Sequence, residues 1–433
     1  DPRSCPHCIA KAGSGAVGGA GAVNGAGGGG AFTDGFDADG NRYAAIATTH
    51  TATGSGYAAA ASPSGGLSSI ISGSKWNTLG NDGGGAKLSY SYWDGSSPHN
   101  YTRDGTRSTL DSHSSGSNNS AAHDLVFAEW DAVSAFAFEK ISEDGDGDPV
   151  GDVRVHVLDT IPSGAAAYAF YPSSTAQGGD IYYGASMMGD ATDTDFVTEG
   201  YNWYTALHEI GHALGLSHPF DGGAADDSTL NLNLDSQRNT VMTYVQTDRN
   251  VRIAKAGSSL SWDKVNISTP GLLDVEAMEH LYGSGGWSHN NTNTTYGGGA
   301  GIDAFNNNYD SIRVIADSGG EQDTIDASGV TATGNIINLT PGTYSSINYY
   351  ATDAEKIAAV SAGSASAEAW FTGQIANLDA SASAANDHYS GYTRTALYRG
   401  QENVGIAHNT WIENAKGGAG ADTITGNSMG NEL

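Results

Sequence analysis

The chain has 433 residues, 61 of them glycine, with 19 Lys plus Arg against 48 Asp plus Glu and a net charge of −29. That length accommodates two domains and a substantial core. The charge excludes nucleic acid and anionic membrane as partners, and no apolar run is long enough to span a bilayer.

Residues 1–65 are mostly Gly, Ala and Ser, too poor in apolar side chains to offset the entropy of ordering them, and read as an extension or propeptide remnant. Asp1-Pro2-Arg3 opens straight into this stretch, so no cleavable secretory signal is visible. The only cysteines, Cys5 and Cys8, stand in CPHC. No βαβ pattern follows to make them a thiol-oxidoreductase pair. They read as part of a flexible tail, as a local disulfide, or as a source of a thiolate for a metal site further along.

The strand pattern of KLSYSYW (87–93) is followed by a polar loop over 94–120. Residues 124–141 (DLVFAEWDAVSAFAFEKI) place Val126, Trp130, Val133, Phe136 and Phe138 mostly on one side, which predicts one amphipathic helix. DGDGD (144–148) fails the EF-hand pattern, because Pro149 and Val155 stand where Gly and Glu belong, and reads as a solvated acidic turn. VRVHVLD (153–159) reads as a strand with His156 structural.

Residues 208–218, HEIGHALGLSH, carry the chemistry. On a helix His208 and His212 lie about 40° apart, so both imidazoles reach one ion. Gly215 takes the left-handed conformation that ends a helix and lets His218 approach the same ion. Three neutral imidazoles are zinc ligands that leave a fourth position for water. Glu209 adjoins the first ligand and serves as general base for that water. Downstream, NTVMTY (239–244) supplies the Met-containing turn that pairs with such a helix, in Met242, with Tyr244 two residues on.

HEIGHALGLSHP, with Pro219 directly after the third histidine, and VMTY together resemble the serralysins, secreted bacterial metzincin proteases. The resemblance implies an α+β metzincin catalytic domain, a twisted mixed sheet with long helices and zinc in the cleft, over 66–283. It makes Met242 the floor of the zinc site and Tyr244 a zinc ligand that swings away to the oxyanion. AYAFYP (167–172) and GGDIYYG (178–184) resemble the segments where an edge strand pairs with extended substrate, which suits broad specificity. LLDVEAMEHLYG (272–283) resembles the last helix of that domain, with Leu273, Ala277 and Leu281 at helical spacing. A thiolate from residues 2–5 holding a latent precursor, as in the related matrixins, is the sharp reading of CPHC.

From about 284 the composition turns to Asn, Gly, Asp and short β-prone runs, which predicts an all-β, calcium-binding β-roll domain over 284–433, shortened at its C-terminus. GGAGADTIT (417–425) matches the nonapeptide of calcium-binding parallel β-rolls. By resemblance to the family, Asn290, Thr292 and Thr294 form a junction calcium loop, although Asn replaces the usual Arg. Asp317, Gly319, Gly320 and Asp323 form a second loop, with one more residue than usual before Asp323. Glu413, Gly418, Gly420 and Asp422 form a third.

The reading is therefore a monomeric zinc endopeptidase acting on polypeptides, stabilised by several calcium ions, with a proteinaceous inhibitor as a further partner. Export by a type I system follows from the resemblance, and the missing C-terminal signal reads as trimming. The rivals are a calcium-dependent adhesion protein with a relic zinc helix, which would lose Glu209 or the Met turn first, and a zinc amidase acting on non-protein substrate.

Overall fold

The computed structural model describes residues 66–76, 87–93, 120–143, 151–158, 165–172, 178–188, 200–220, 234–283, 292–298, 304–317, 322–382 and 395–433. It also describes positions 198, 230, 319 and 320 and the backbone of short strands at 8–11, 35–36, 42–43 and 57–59. Cys5, Asn290, the polar loop at 94–119 and the acidic tract 144–148 lie outside the described residues. The chain forms two compact units, one of residues 1–131, 135–196 and 205–229, the other of 132–134, 197–204 and 230–433.

The first unit is built on a six-stranded sheet. Its strands in chain order are β1 (Cys8–Lys11), β2 (Lys87–Tyr92), β3 (Ala137–Lys140), β4 (Val153–Leu158), β5 (Ala167–Phe170) and β6 (Ile181–Gly184). Their spatial order is β1-β5-β6-β4-β2-β3. All neighbours are parallel except β5 and β6. Parallel central strands are covered on both faces, and every residue of β4 is buried.

The polar side chains of β4 therefore need internal partners. Arg154 Nε meets Glu143 Oε1 at 2.8 Å, with both side chains wholly shielded from water. His156 stacks on Tyr182 with ring centroids 4.5 Å apart and lies 3.5 Å from Asp180 Oδ2. A structural histidine is what the strand setting predicts.

Helix α1 spans Ser120–Asp131 and buries His123, Val126, Phe127 and Trp130. The helix expected to run to 141 is thus two elements. Asp131 Oδ1 accepts the Phe138 amide at 2.6 Å, and Phe136-Ala137-Phe138 alternates as strands do, so the chain turns and enters β3. Phe136 and Phe138 sit 5.3 Å apart, edge to face, on strand geometry rather than on a helix face. Helix α2, Tyr201–Ala213, follows and carries the HEIGH residues.

In the second unit the turn at 239–244 leads to the antiparallel hairpin β7 (Val251–Ala256) and β8 (Ser259–Lys264), then to helix α3 (Leu272–Tyr282). Helix α3 buries Leu272, Val275, Ala277, Met278 and Leu281, whereas Leu273, expected on that face, is only half-buried. Asp274 replaces it inside, because the first turn is also a capping site.

Beyond 284 come β9 (Thr295–Tyr296), β10 (Arg313–Ile315), β11 (Thr324–Asp326), β12 (Gly334–Asn338), β13 (Tyr344–Tyr349), helices α4 (Asp353–Ser361) and α5 (Ala365–Ala382), then β14 (Val404–Ile406), β15 (Asn414–Lys416) and β16 (Thr423–Thr425). Strands β9-β11-β15 stack in parallel, and β10-β14-β13-β12-β16 form a mixed sheet. Phe305, Ile325, Ile337, Ile347 and Ile406 fill the core of these sheets.

This region was expected to be all-β, and the two helices correct that expectation. Thr352 and Glu355 form a capping box that starts α4, with the Glu355 amide donating to Thr352 Oγ1 at 3.2 Å. Ile357, Phe371 and Ile375 then pack on Val251 and Ile253 of the β7–β8 hairpin. Burying Phe371 alone contributes roughly 2–3 kcal/mol. Among the described residues no helix is long and apolar enough to cross a membrane.

Candidate active site

His208 and His212 project from consecutive turns of α2, and the helix stops where the third ligand requires it to. Gly215, at φ +100°, is the C′ residue of a Schellman motif. The Leu216 amide donates to Gly211 O at 2.9 Å and the Gly215 amide to His212 O at 2.9 Å. Trp76 Nε1 donates to the Ala213 carbonyl at 2.9 Å, satisfying another terminal acceptor. A Cβ on Gly215 would lie 2.2 Å from Ser74 O, so no larger residue fits. The chain then runs antiparallel to residues 70–72, with the Ser217 amide donating to Ile70 O at 2.8 Å. That short bridge delivers His218.

The three imidazoles converge through one atom each. His218 Nε2 lies 3.1 Å from both His208 Nε2 and His212 Nε2, and all three rings are buried. Two imidazole nitrogens on a tetrahedral zinc at about 2.1 Å stand roughly 3.4 Å apart, so the spacing fits that ion closely. The His212 tautomer is fixed as well. Its Nδ1 faces the Leu216 carbonyl at 2.8 Å, and a carbonyl only accepts, so Nδ1 carries the proton and Nε2 is bare. Burial, and then the two neighbouring imidazoles, hold His212 well below its ordinary pKa, so the ring stays neutral.

Glu209 is fully buried beside this centre, and its charge reaches the Tyr183 phenol on β6, whose pKa is raised first by burial and then by Glu209. Tyr171, just beyond β5, sets its ring 5.5 Å from that of His212, edge to face. Strand β5 therefore leads directly to the metal centre. Its outer edge is taken by β1, with Cys8 opposite Ala167 and Lys11 opposite Phe170.

Met242 is fully buried within the second unit and Tyr244 is half-buried there. The turn that holds them is pinned from several directions. Tyr204 donates its hydroxyl to Val241 O at 2.9 Å and Thr243 O at 2.7 Å, and Met242 N donates to Thr240 Oγ1 at 3.1 Å. Asp274 accepts from Thr240 Oγ1 at 2.6 Å, Val241 N at 2.7 Å and Gly271 N at 2.8 Å.

The structure gathers several of the predicted calcium ligands into an oxygen-rich cluster. Asp323 Oδ1 accepts the Thr294 amide at 2.6 Å, and the Asp323 amide donates to Glu413 Oε2 at 2.9 Å. Asp317 accepts from the Gly319 amide at 3.0 Å and from the Tyr296 hydroxyl. Burial first, then the charges of Asp317 and Glu413, push Asp323 up to about 6. Carboxylates crowded so closely that their charges raise the Asp323 pKa are donors suited to a hard cation.

Gly320 has φ +134°, and a Cβ there would meet Asp323 Oδ2 at 2.5 Å. Thr292 is exposed, and its carbonyl accepts from Thr294 Oγ1. Asp422 accepts instead from Asn335 N and Nδ2, each at 2.8 Å. Gly418 and Gly420 lie so close to the 330–333 backbone that a Cβ would meet Val330 O at 2.0 Å and Thr333 O at 2.1 Å.

Residues that the linear pattern did not assign to the site also converge here. His123 joins Tyr92 and Tyr183, and Trp130 donates Nε1 to Leu207 O at 3.1 Å, one residue before His208. No local signal marks them, since α1, β2, β6 and α2 are far apart in the chain.

A His-Glu-x-x-His helix completed by a third histidine beyond a glycine turn is the arrangement found in zinc endopeptidases of the metzincin class. The chain is a relative of the serralysin-type metalloproteases. It is 28% identical to the serralysin of Proteus mirabilis over 336 residues, covering 70% of this chain and 53% of that protein. It is 27% identical to the metallopeptidase AprA of Pseudomonas marginalis over 319 residues, covering 71% of this chain and 54% of that one. A shorter stretch of 131 residues, 29% of this chain and 25% of that protein, is 35% identical to the interstitial collagenase of Oryctolagus cuniculus. The chain spans little more than half the length of the serralysins it matches. No family model matches it.

Proposed function

We propose that the chain is a secreted endopeptidase with a catalytic domain over 66–283 and a calcium-binding β-roll region over 284–433, acting on polypeptides. The observation that carries this reading is the convergence of the Nε2 atoms of three buried histidines, with the buried Glu209 next to the first of them in the chain. His208, His212 and His218 would hold zinc, and the serralysin resemblance nominates Tyr244 as a further ligand and Met242 as the residue of the Met-containing turn. Bound there, the ion would polarise the scissile carbonyl and acidify a water molecule.

Glu209 takes the proton of that water as it attacks and passes it to the departing amine. Tyr244 donates its hydroxyl to the oxyanion, and an extended substrate aligns along β5. Because β1 occupies that same edge, the N-terminal segment competes with substrate, which supports residues 1–65 as the pro-segment of a latent precursor. Asp317, Asp323, Glu413 and Asp422, with the glycines and threonines around them, bind the calcium ions.

The test is hydrolysis of casein by the full chain, with and without a zinc chelator, beside Glu209→Ala. Chelation and the substitution should each abolish turnover, while the variant keeps its zinc and its thermal transition. Near-native activity in zinc-loaded Glu209→Ala would remove the mechanism. Binding to cells or matrix without any cleavage would favour the adhesion reading instead.

A further inference from the structure

Tyr204 stands one helical turn ahead of His208, so Tyr204, His208 and His212 form an i, i+4, i+8 row on α2, each about 40° round from the last. Its side chain is buried, and its hydroxyl is shared between two carbonyls of the Met-containing turn, Val241 O at 2.9 Å and Thr243 O at 2.7 Å. The row that carries two of the three imidazoles therefore also carries a fastening for that turn.

One residue separates the two acceptors, and it is Met242. A carbonyl oxygen lies in the plane of the peptide unit that joins its own residue to the next. Holding Val241 O orients the unit leading into Met242, and holding Thr243 O orients the unit leading into Tyr244. The first unit is fixed a second time, because the Met242 amide donates to Thr240 Oγ1 at 3.1 Å.

The start of the helix has an anchor besides Tyr204. Trp203 donates Nε1 to Ser268 O at 2.8 Å, and the Ser268 amide donates in turn to Ile312 O at 2.9 Å. Loss of the Tyr204 hydroxyl leaves that anchor in place, so its effect falls on the turn.

We infer that Tyr204 is a positioning residue: its hydroxyl fixes the peptide unit leading into Tyr244 against the helix that carries His208 and His212, and so sets where the Tyr244 phenol stands. The inference rests on the proposed role of Tyr244 as a ligand and oxyanion donor.

The experiment uses the full chain loaded with copper(II), whose bond to a phenolate gives a visible charge-transfer absorption that imidazole ligands do not. The parent should show this band and Tyr244→Phe should lack it. Tyr204→Phe, which removes one oxygen and keeps the ring, should bind one copper ion and retain less than about half of the band, the size of one lost hydrogen bond. A full band in Tyr204→Phe overturns the inference. Loss of copper binding overturns it too, because the hydroxyl would then hold the histidine helix rather than the turn. A parent without the band removes Tyr244 as a ligand and takes this inference with it.

Steady-state hydrolysis of a quenched fluorescent peptide by the zinc-loaded chain gives a second reading. Tyr204→Phe should lower kcat about five-fold to ten-fold with KM changed less than about two-fold. In a Tyr244→Phe background the same substitution should lower kcat less than about two-fold, because the phenol it positions is already gone. Equal losses in the two backgrounds would mean a general loosening of the fold and defeat only this inference. A parent that cleaves no peptide defeats the functional proposal, and the copper band then decides this one.

Discussion

Asp274 offers a quantitative test of how the turn at Met242 is held. Its carboxyl is fully buried, and burial pushes it up to about 7 from 3.8, against the pull of donors from Thr240, Val241 and Gly271. An acid whose folded pKa is raised binds protons more readily folded than unfolded. Its contribution to stability is complete below about pH 4 and is lost as pH rises through about 7. Between pH 5 and pH 8 the loss amounts to about 2.5 kcal/mol.

Asn at this position copies the protonated acid. Its carbonyl can accept from Val241 N and Gly271 N, and its amide can donate to Thr240 Oγ1. In urea unfolding followed by tryptophan fluorescence, Asp274→Asn should therefore match the parent within about 1 kcal/mol at pH 5 and exceed it by about 2–3 kcal/mol at pH 8. Comparing the two proteins at each pH cancels every other titration. A difference that stays constant, or that favours the parent at pH 8, would mean that the three donors outweigh burial and refute the reasoning. Asp274→Ala strands all three donors and should lose about 3–5 kcal/mol at either pH.

Gly215→Ala forces a Cβ to within 2.2 Å of Ser74 O at a positive φ, so it should destabilise the protein by about 2–4 kcal/mol and lower zinc occupancy through His218, as equilibrium dialysis would reveal. Glu143→Ala leaves Arg154 charged in a dry interior and should lose about 3–5 kcal/mol. The double variant Glu143→Leu with Arg154→Met should recover most of that, and equal losses in both would sink the buried-charge argument. Calcium at about 100 times its dissociation constant should stabilise the protein by about 3 kcal/mol. Asp323→Asn should remove most of that gain in a thermal melt, and a full calcium response in the variant would place the ion elsewhere.

The three-histidine cluster was legible because a helix fixes local geometry. The i, i+4 spacing of His208 and His212 and the glycine that ends the helix are properties of eleven consecutive residues. The bridge between residues 70–72 and Leu216, which aims His218, is not. Strand β4 was legible for a similar reason, since its β-branched residues suit a buried parallel strand. The break between α1 and β3 was missed because Val133, Phe136 and Phe138 satisfy a helical face nearly as well as an alternating one. The choice fell to Asp131 and the Phe138 amide. Helices α4 and α5 were missed because the Asn, Gly and Asp-rich composition around them read as all-β, although the Thr352–Glu355 capping box and the Ala-rich run after it are local helix signals, which packing on the β7–β8 hairpin then reinforces.

Thus the sequence by itself determined which imidazoles converge, which carboxylate adjoins them in the chain, and which turn residues are glycine. Tertiary structure alone decided the rest. It gave His212 its tautomer through a carbonyl, and it gave His123 its partners through two tyrosines on separate strands. It also placed β1 on the edge of β5. Each depends on groups distant in the chain that meet only when the sheet and the helices have packed, and hydrogen-bond direction exists only once both partners are in place.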